Sequence, residues 1–424
     1  MAADRSPTAI YEGHPHGPVG MNDRVLAITL DGKPMAARDV ALRLDNYLEL
    51  ELKWQGALEP GSDKINKELL ITFEGGTTAE FVMSSHLMHL VGHEEFVATS
   101  RISPLDLAGK SKGSATALIL NGPHLHPKAG PIVLGYENHE ASLAPFEHFR
   151  AMDSRKERLP LQPTISHITM LRTLNSKPFR ATRLYEFLGQ VCGFLGFTKG
   201  TRVGYGQVRN DALNGFRCLG FTKADRLRTL PGWYHWALQE ELPKIFQNYM
   251  KLFSTNEARR SLGRALAYYQ ISNVTRYDAV ETAVIMSAAG LETLAGHVLG
   301  TAGGWTPNLI KNITLAEQIR ACTRLLGIKG DPADQSALLA KRLRPRKGQP
   351  QGRDGFSLIT EFRNGVTHPG VFEYDHDIFD VWNASQWLLE MQLLVLMNYR
   401  GRYQDRRLNR RSHAGNLSTM PVGP

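Results

Sequence analysis

The chain is poor in cysteine. Its 424 residues contain three, Cys192, Cys218 and Cys322, and no two of them form a CxxC pair. This argues against a disulfide framework and a cysteine zinc cluster, and it points to a reducing compartment. Long apolar runs are also missing. The two greasiest stretches, 279–300 and 387–397, are interrupted by Glu281 and Glu292 and by Glu390 and Gln392. A membrane span needs about 20 nearly unbroken apolar residues. The opening MAADRSPTAIYEGHPHG has no basic segment leading into an apolar core, so no export signal is expected. These absences predict a soluble, cytoplasmic protein with no membrane contact.

The common catalytic signatures are absent too. The GKS at 109–111 has Pro104 where a phosphate loop needs glycine, and Gly204-Tyr205-Gly206 is too short for a dinucleotide fingerprint. Neither GxSxG nor HExxH occurs, and there is no internal repeat or long low-complexity tract. No cofactor and no metal is expected. One histidine cluster, His86, His89 and His93, would share a face at i, i+3, i+7 if its segment were helical, with His124 and His126 as further candidates. The flanking Phe81, Val82, Val91, Phe96 and Val97 read equally as strand, which would scatter the rings.

What the chain does contain is enough apolar surface for a core: 42% of residues are hydrophobic, 21% charged and 8% aromatic. A wholly disordered chain is excluded, and the length suggests two domains. The first half is punctuated like a β-rich domain. VLAITL (25–30), LLITF (69–73), TALIL (116–120) and PIVLGY (131–136) are separated by DGKP, EPGSD, EGGT and NGPHLHPKAGP, the pattern of a sandwich or barrel. MDSRKERLPLQP (152–163) reads as an exposed loop, 181–197 as a helix, and 202–208 and 215–221 as strands.

The texture changes near Pro231. Helices are expected over 236–253, 256–272, 278–300, 314–328, 356–368 and 377–399, the fourth opening with a Thr314/Glu317 capping box and stopping at Gly330. The expected fold is therefore α+β in two domains. Residues 1–230 form a β-rich sandwich or barrel, 235–405 an all-α bundle, and 406–424 a basic, disordered tail.

Fifty Lys and Arg stand against 41 Asp and Glu, a formal charge of +9. The local clustering says more than the total. KRLRPRKGQPQGR places Lys341, Arg342, Arg344, Arg346, Lys347 and Arg353 in a Pro/Gly-broken linker, and RGRYQDRRLNRR (400–411) adds a second run. Solvated surface is the plain reading. The sharper one is a polyanion contact, because clustered cations release counterions from a phosphate backbone.

Immediately after that linker comes FSLITEFRNGVTHPG. Asn364 and His368 are i, i+4 neighbours, Arg363 precedes them, and Pro369 disfavours helical geometry at His368. A guanidinium, an amide and a titratable imidazole beside a basic linker are the tools for cleaving RNA without metal. The plain alternative is a helix end capped by a histidine beside a surface arginine. Such spacing recurs by chance in a chain rich in Arg and His, so the context carries the reading.

At these residues the sequence resembles the HEPN domain, in particular the Apea-like HEPN group. That family carries Arg-Asn, three residues, then His at the end of its penultimate core helix, matching Arg363-Asn364-GVT-His368. The Leu291-Glu292 pair in AAGLETL resembles an element on an earlier core helix of the family. The resemblance covers about 240–405. Gly370 stands where one toxin branch has Tyr two residues after the His.

The resemblance implies a metal-independent endoribonuclease with Arg363 on the phosphate, Asn364 orienting substrate, His368 in general acid/base work and Glu292 positioning Arg363 or His368. It also implies a homodimer through the helical domain and a role in anti-phage defence or as a toxin. The N-terminal domain would bind a phage or host trigger. The alternative is a non-catalytic dimerisation and RNA- or nucleotide-binding scaffold.

Overall fold

The structure, a computed structural model, describes residues 25–30, 33–34, 37–44, 50–56, 68–73, 78–88, 94–100, 110–111, 114–126, 130–145, 165–175, 179–209, 217–222, 224–225, 232–344, 353–368, 374, 376–408 and 417–423. The expected loop at 152–163 lies outside them. The protein is mixed α and β: sheets fill the N-terminal region, and helices dominate 236–396. It divides into two compact units, and the division is not a single cut. The first unit is 1–122, 137–192 and 203–228; the second is 123–136, 193–202 and 229–424. The expected boundary near 230 is thus corrected: two short segments from the first half belong to the helical unit.

In the first unit, β1 (Val25–Leu30), β2 (Lys33–Pro34), β3 (Ala37–Leu44), β4 (Leu50–Gly56), β5 (Glu68–Phe73), β6 (Thr78–Met88) and β7 (Glu94–Ser100) form one antiparallel sheet in the order β2-β1-β5-β6-β7-β4-β3. Lys110–Ser111 (β8) is a two-residue strand, so the GKS segment is no phosphate loop. The strand Ser114–Leu120 (β9) precedes Ile132–Tyr136 (β10), which belongs to the second unit. With His139–Pro145 (β11), Ile165–Thr173 (β12), Phe179–Arg180 (β13), Gly204–Arg209 (β14) and Arg217–Phe221 (β15), the first unit completes a second antiparallel arrangement. It runs β11-β12-β9-β14-β15, while β13 pairs with β8.

In that second arrangement β9 is central and almost wholly buried from Ala117 to Leu120. Beyond its end, Asn121 adopts a left-handed φ of 55° and donates to the Asp225 carbonyl, while the Gly122 amide donates to Ser166 Oγ at 2.7 Å. The helix Ala181–Lys199 (α1) buries Leu184, Leu188 and Val191, and sets Phe187 5.5 Å from the His139 ring. That spacing, one face of a 3.6-residue period, is what the sequence predicts there.

The helical unit takes over at residue 193. Gly193 lets the Tyr249 hydroxyl approach, since a Cβ there would stand 2.7 Å from it. The 236–253 segment is not one helix. Trp236–Glu241 is a 3-10 turn, and the α-helix begins only at Leu242–Leu252 (α2), with Pro243 in its first turn. Proline has no N–H to bond the preceding turn, so α-helical bonding cannot run through it.

The rest of the unit is Asn256–Thr275 (α3), Val280–Thr301 (α4), Pro307–Lys311 (α5), Leu315–Leu325 (α6), Ala337–Leu343 (α7), Gly355–Thr367 (α8) and Asp377–Leu396 (α9). The capping box at Thr314 and Glu317 is formed as expected. The helix it opens ends earlier than expected: Gly327, at φ 68°, turns the chain, and its amide donates to the Arg324 carbonyl. α4 packs on α3, α6, α8 and α9. It is the one helix among the described residues long and apolar enough to cross a membrane, but 56% of its apolar window is buried in the protein. Leu291, Leu294 and Val298 are among its buried residues, which marks a core helix.

The expectation of a disordered tail over 406–424 is corrected for 406–408 and 417–423, which are folded, while 409–416 lie outside the described residues. After α9 the chain forms Arg402–Tyr403 (β16), which pairs with Ser418–Thr419 (β17), and Ile328 bridges Val422. Arg406 is 5% exposed and Met420 5%. Arg406 pairs with Glu390 and Arg407 with Asp405, partners that a run of Arg in a sequence does not reveal.

Candidate functional site

α8 is held firmly at its start and exposed at its end. Asp354 caps it, accepting from the Ser357 amide and hydroxyl at 2.8 Å each, while Arg320 grips the same carboxylate with Nε at 2.8 Å and its terminal nitrogen at 2.9 Å. Burial pushes Asp354 up, but the Arg320 and Ser357 hydrogen bonds outweigh it and hold the carboxyl below its usual range. Asp331 accepts from the Gly355 amide at 2.9 Å. Only glycine fits at 355, because a Cβ would meet the Asp331 carboxylate at 2.1 Å. Phe356, Leu358, Ile359 and Phe362 are buried and fix the helix's rotation.

Beyond buried Phe362 the last turn reaches solvent. Arg363 is half-buried, and Asn364 and His368 are exposed. Arg363 donates to Asn364 Oδ1 at 2.9 Å, so amide and guanidinium act as one group. His368 has left the helix: its backbone is extended (φ −103°, ψ 141°), and its amide donates to the Asn364 carbonyl at 3.1 Å. The three residues expected at the site are therefore brought to one exposed helix end. Glu292 is not joined to them. It is exposed on α4, and no hydrogen bond or ion pair links it to Arg363 or His368 among the described residues. The positioning contact on Arg363 comes from Asn364 instead.

The basic cluster is divided. Lys341 and Arg342 sit in the last turn of α7 rather than in a linker, and Arg344 follows it. Lys341 and Arg344 are exposed. Arg342 pairs with Asp377 and lies 4.9 Å over the Phe362 ring, and Arg353 pairs with Glu361. Arg342 and Arg353 thus also tie α7, α8 and α9 together. Arg346 and Lys347 lie outside the described residues. So do His89 and His93, while His86 is in strand β6, which removes the helical face that a metal site there required. No group of three metal-ligating side chains occurs among the described residues. His126 packs on Trp236, ring centroids 4.8 Å apart.

A second polar centre was not legible as one. Glu390 and Arg406, both wholly buried, pair at 2.9 Å. Arg406 also donates to Asn273 at 2.9 Å, and the Tyr269 hydroxyl donates to Glu390 at 2.7 Å. Burial pushes the Glu390 carboxyl up to about 7 against the pull of Arg406 and Tyr269. Arg406 also lies 4.5 Å over the Trp382 ring. The available signal was Glu390 itself, a carboxylate inside an apolar helix that must find a cation.

Residues 255–416 match the family model of the YopA C-terminal domain. The match begins at Thr255, the residue that caps α3, and includes both Arg363 and Arg406. No curated protein and no solved structure matches the chain.

Proposed function

We propose that the helical unit is a metal-independent endoribonuclease of the HEPN type, within the Apea-like group. The observation that carries the reading is the gathering of half-buried Arg363 with exposed Asn364 and His368 at the end of a helix whose other end is clamped. In the proposed step His368 takes the proton of a ribose 2′-OH. The 2′-oxygen attacks phosphorus, and the bond to the 5′-oxygen breaks, leaving a 2′,3′-cyclic phosphate and a 5′-OH. Arg363 balances the charge on the phosphorus oxygens, and Asn364 holds Arg363 in place while orienting substrate. One imidazole cannot readily be base and acid in a single step, so a second copy supplies the His368 that protonates the leaving oxygen. The enzyme is then a homodimer through the helical unit, acting in phage defence or as a toxin, with the β-rich unit receiving the phage or host trigger. The Glu292 role implied by the resemblance has no contact to support it.

The test is cleavage of RNA by wild type, Arg363→Ala and His368→Ala. Both variants should lose about 10²- to 10⁴-fold in rate, with unchanged circular dichroism because both side chains are solvent-accessible. Wild-type cleavage by either variant would sink the proposal. A second reading, a non-catalytic RNA-binding scaffold, is favoured by one observation: Glu292 makes no hydrogen bond or ion pair to Arg363 or His368 among the described residues. It predicts intact RNA after prolonged incubation together with measurable RNA affinity.

A further inference from the structure

The helical unit holds a small pocket that takes in none of Arg363, Asn364 and His368. Its volume is about 280 Å³. One wall is Glu241, the residue before α2, together with Lys244, Ile245 and Asn248 from the first two turns of that helix. Their spacing, i, i+3, i+4, i+7, puts them on one helix face. The other wall is the turn that follows α9, residues 397–401. That turn is built to stay in place. Asn398 takes a left-handed φ of 52°, and the amides of Asn398 and Tyr399 donate back to the Val395 and Leu394 carbonyls at 2.9 Å each. The Tyr399 hydroxyl donates to the Arg402 carbonyl at 2.5 Å. Its ring covers Gly401 so closely that a Cβ there would stand 2.6 Å from the hydroxyl oxygen. Ring and backbone hold each other, so the pocket is formed before any ligand arrives.

Its lining is of two kinds. Ile245, Met397 and Tyr399 are buried and give it an apolar floor. Glu241, Lys244 and Arg400 are exposed and form a charged rim. The side chains of Glu241 and Lys244 make no ion pair or hydrogen bond among the described residues. Arg400 spends one terminal nitrogen on the Gly423 carbonyl at 3.2 Å and keeps its other donors. Burial, and then the nearby Glu241, push the Tyr399 hydroxyl up to about 12, so the ring adds no charge. Two cations against one carboxylate leave the lining with a single positive charge in excess.

One excess positive charge above an apolar floor suits a ligand of the reverse pattern, a single negative charge on an apolar body. We propose that this pocket binds a small monocarboxylate: Lys244 and Arg400 hold the carboxylate, and the apolar body rests on Ile245, Met397 and Tyr399. A phosphate monoester carries about −1.5 to −2 at neutral pH. It would bring uncompensated negative charge beside Glu241, which therefore selects against it. The assignment stands apart from the ribonuclease reading, since it uses none of the residues that carry that reading.

Binding is measured by saturation-transfer NMR titration of the full-length protein with benzoate. Benzamide and phenyl phosphate keep the ring while removing the charge or roughly doubling it. Benzoate should bind most tightly of the three. Lys244→Gln and Arg400→Gln should each weaken it about threefold or more, with an unchanged thermal midpoint because both side chains are exposed. Should Arg400→Gln shift the midpoint through its lost bond to Gly423, Lys244→Gln carries the test alone. Lys311→Gln removes an exposed lysine outside the pocket, at the end of α5, and should change nothing. No benzoate binding by wild type, equal binding of benzamide, tighter binding of phenyl phosphate, wild-type affinity in Lys244→Gln, or an equal loss in Lys311→Gln would each overturn the assignment.

Discussion

The helical unit contains two arginine centres, each with an asparagine on its guanidinium and opposite in burial. Arg406 is enclosed, with a carboxylate, an amide and an indole ring on its guanidinium. The half-buried Arg363 guanidinium has one hydrogen-bonding partner among the described residues, its neighbour Asn364. A guanidinium enclosed in this way can only hold the fold. One fixed at a single edge keeps its remaining donors for something that arrives from outside. The comparison separates an arginine spent on the fold from one whose donors are left over, without reference to any relative.

Arg406→Ala breaks the comparison hardest. Removing one member of a buried pair leaves the other charge uncompensated, and a loss of about 3–5 kcal/mol is expected in denaturant unfolding. A variant as stable as wild type would show that the pair is not needed.

A smaller effect concerns pH. The folded Glu390 carboxyl titrates about 7, above its value in an unfolded chain, so the folded state binds this proton more tightly. Its contribution is fully present below the unfolded value near 4.5 and is lost as pH rises through about 7. Glu390→Gln should therefore lose less stability than wild type between pH 5 and 8, as read from thermal midpoints; identical slopes would contradict the burial argument.

The smallest effect belongs to the exposed centre. Asn364→Ala should alter stability by no more than about 0.5 kcal/mol, yet free Arg363 and slow RNA cleavage. Full cleavage with unchanged stability would reduce Asn364 to a surface residue.

These centres also show what the sequence could reveal. Arg363, Asn364 and His368 were legible because they are local: adjacent or one helical turn apart, and followed by a proline that ends the helix. The strands at 25–30, 69–73, 116–120 and 131–136 and most helices were legible for the same reason, period and punctuation. Arg406 was not, since its partners Glu390 and Asn273 lie 16 and 133 residues away. A run of arginines looks alike whether solvated or enclosed. The clamp on α8 falls between: Asp354 before an apolar run is a readable cap, whereas Arg320, 34 residues earlier, is not. The fold's division escaped for a related reason, because 123–136 and 193–202 join the helices through packing that no local pattern encodes.

The stitching of the last residues into the bundle has a temporal consequence. Arg406 must reach Glu390, and Val422 must reach Ile328, before this unit is complete. During synthesis those residues emerge after every helix they secure. The bundle therefore closes only once residue 422 has emerged, and a nascent copy that has not reached it lacks its finished interior.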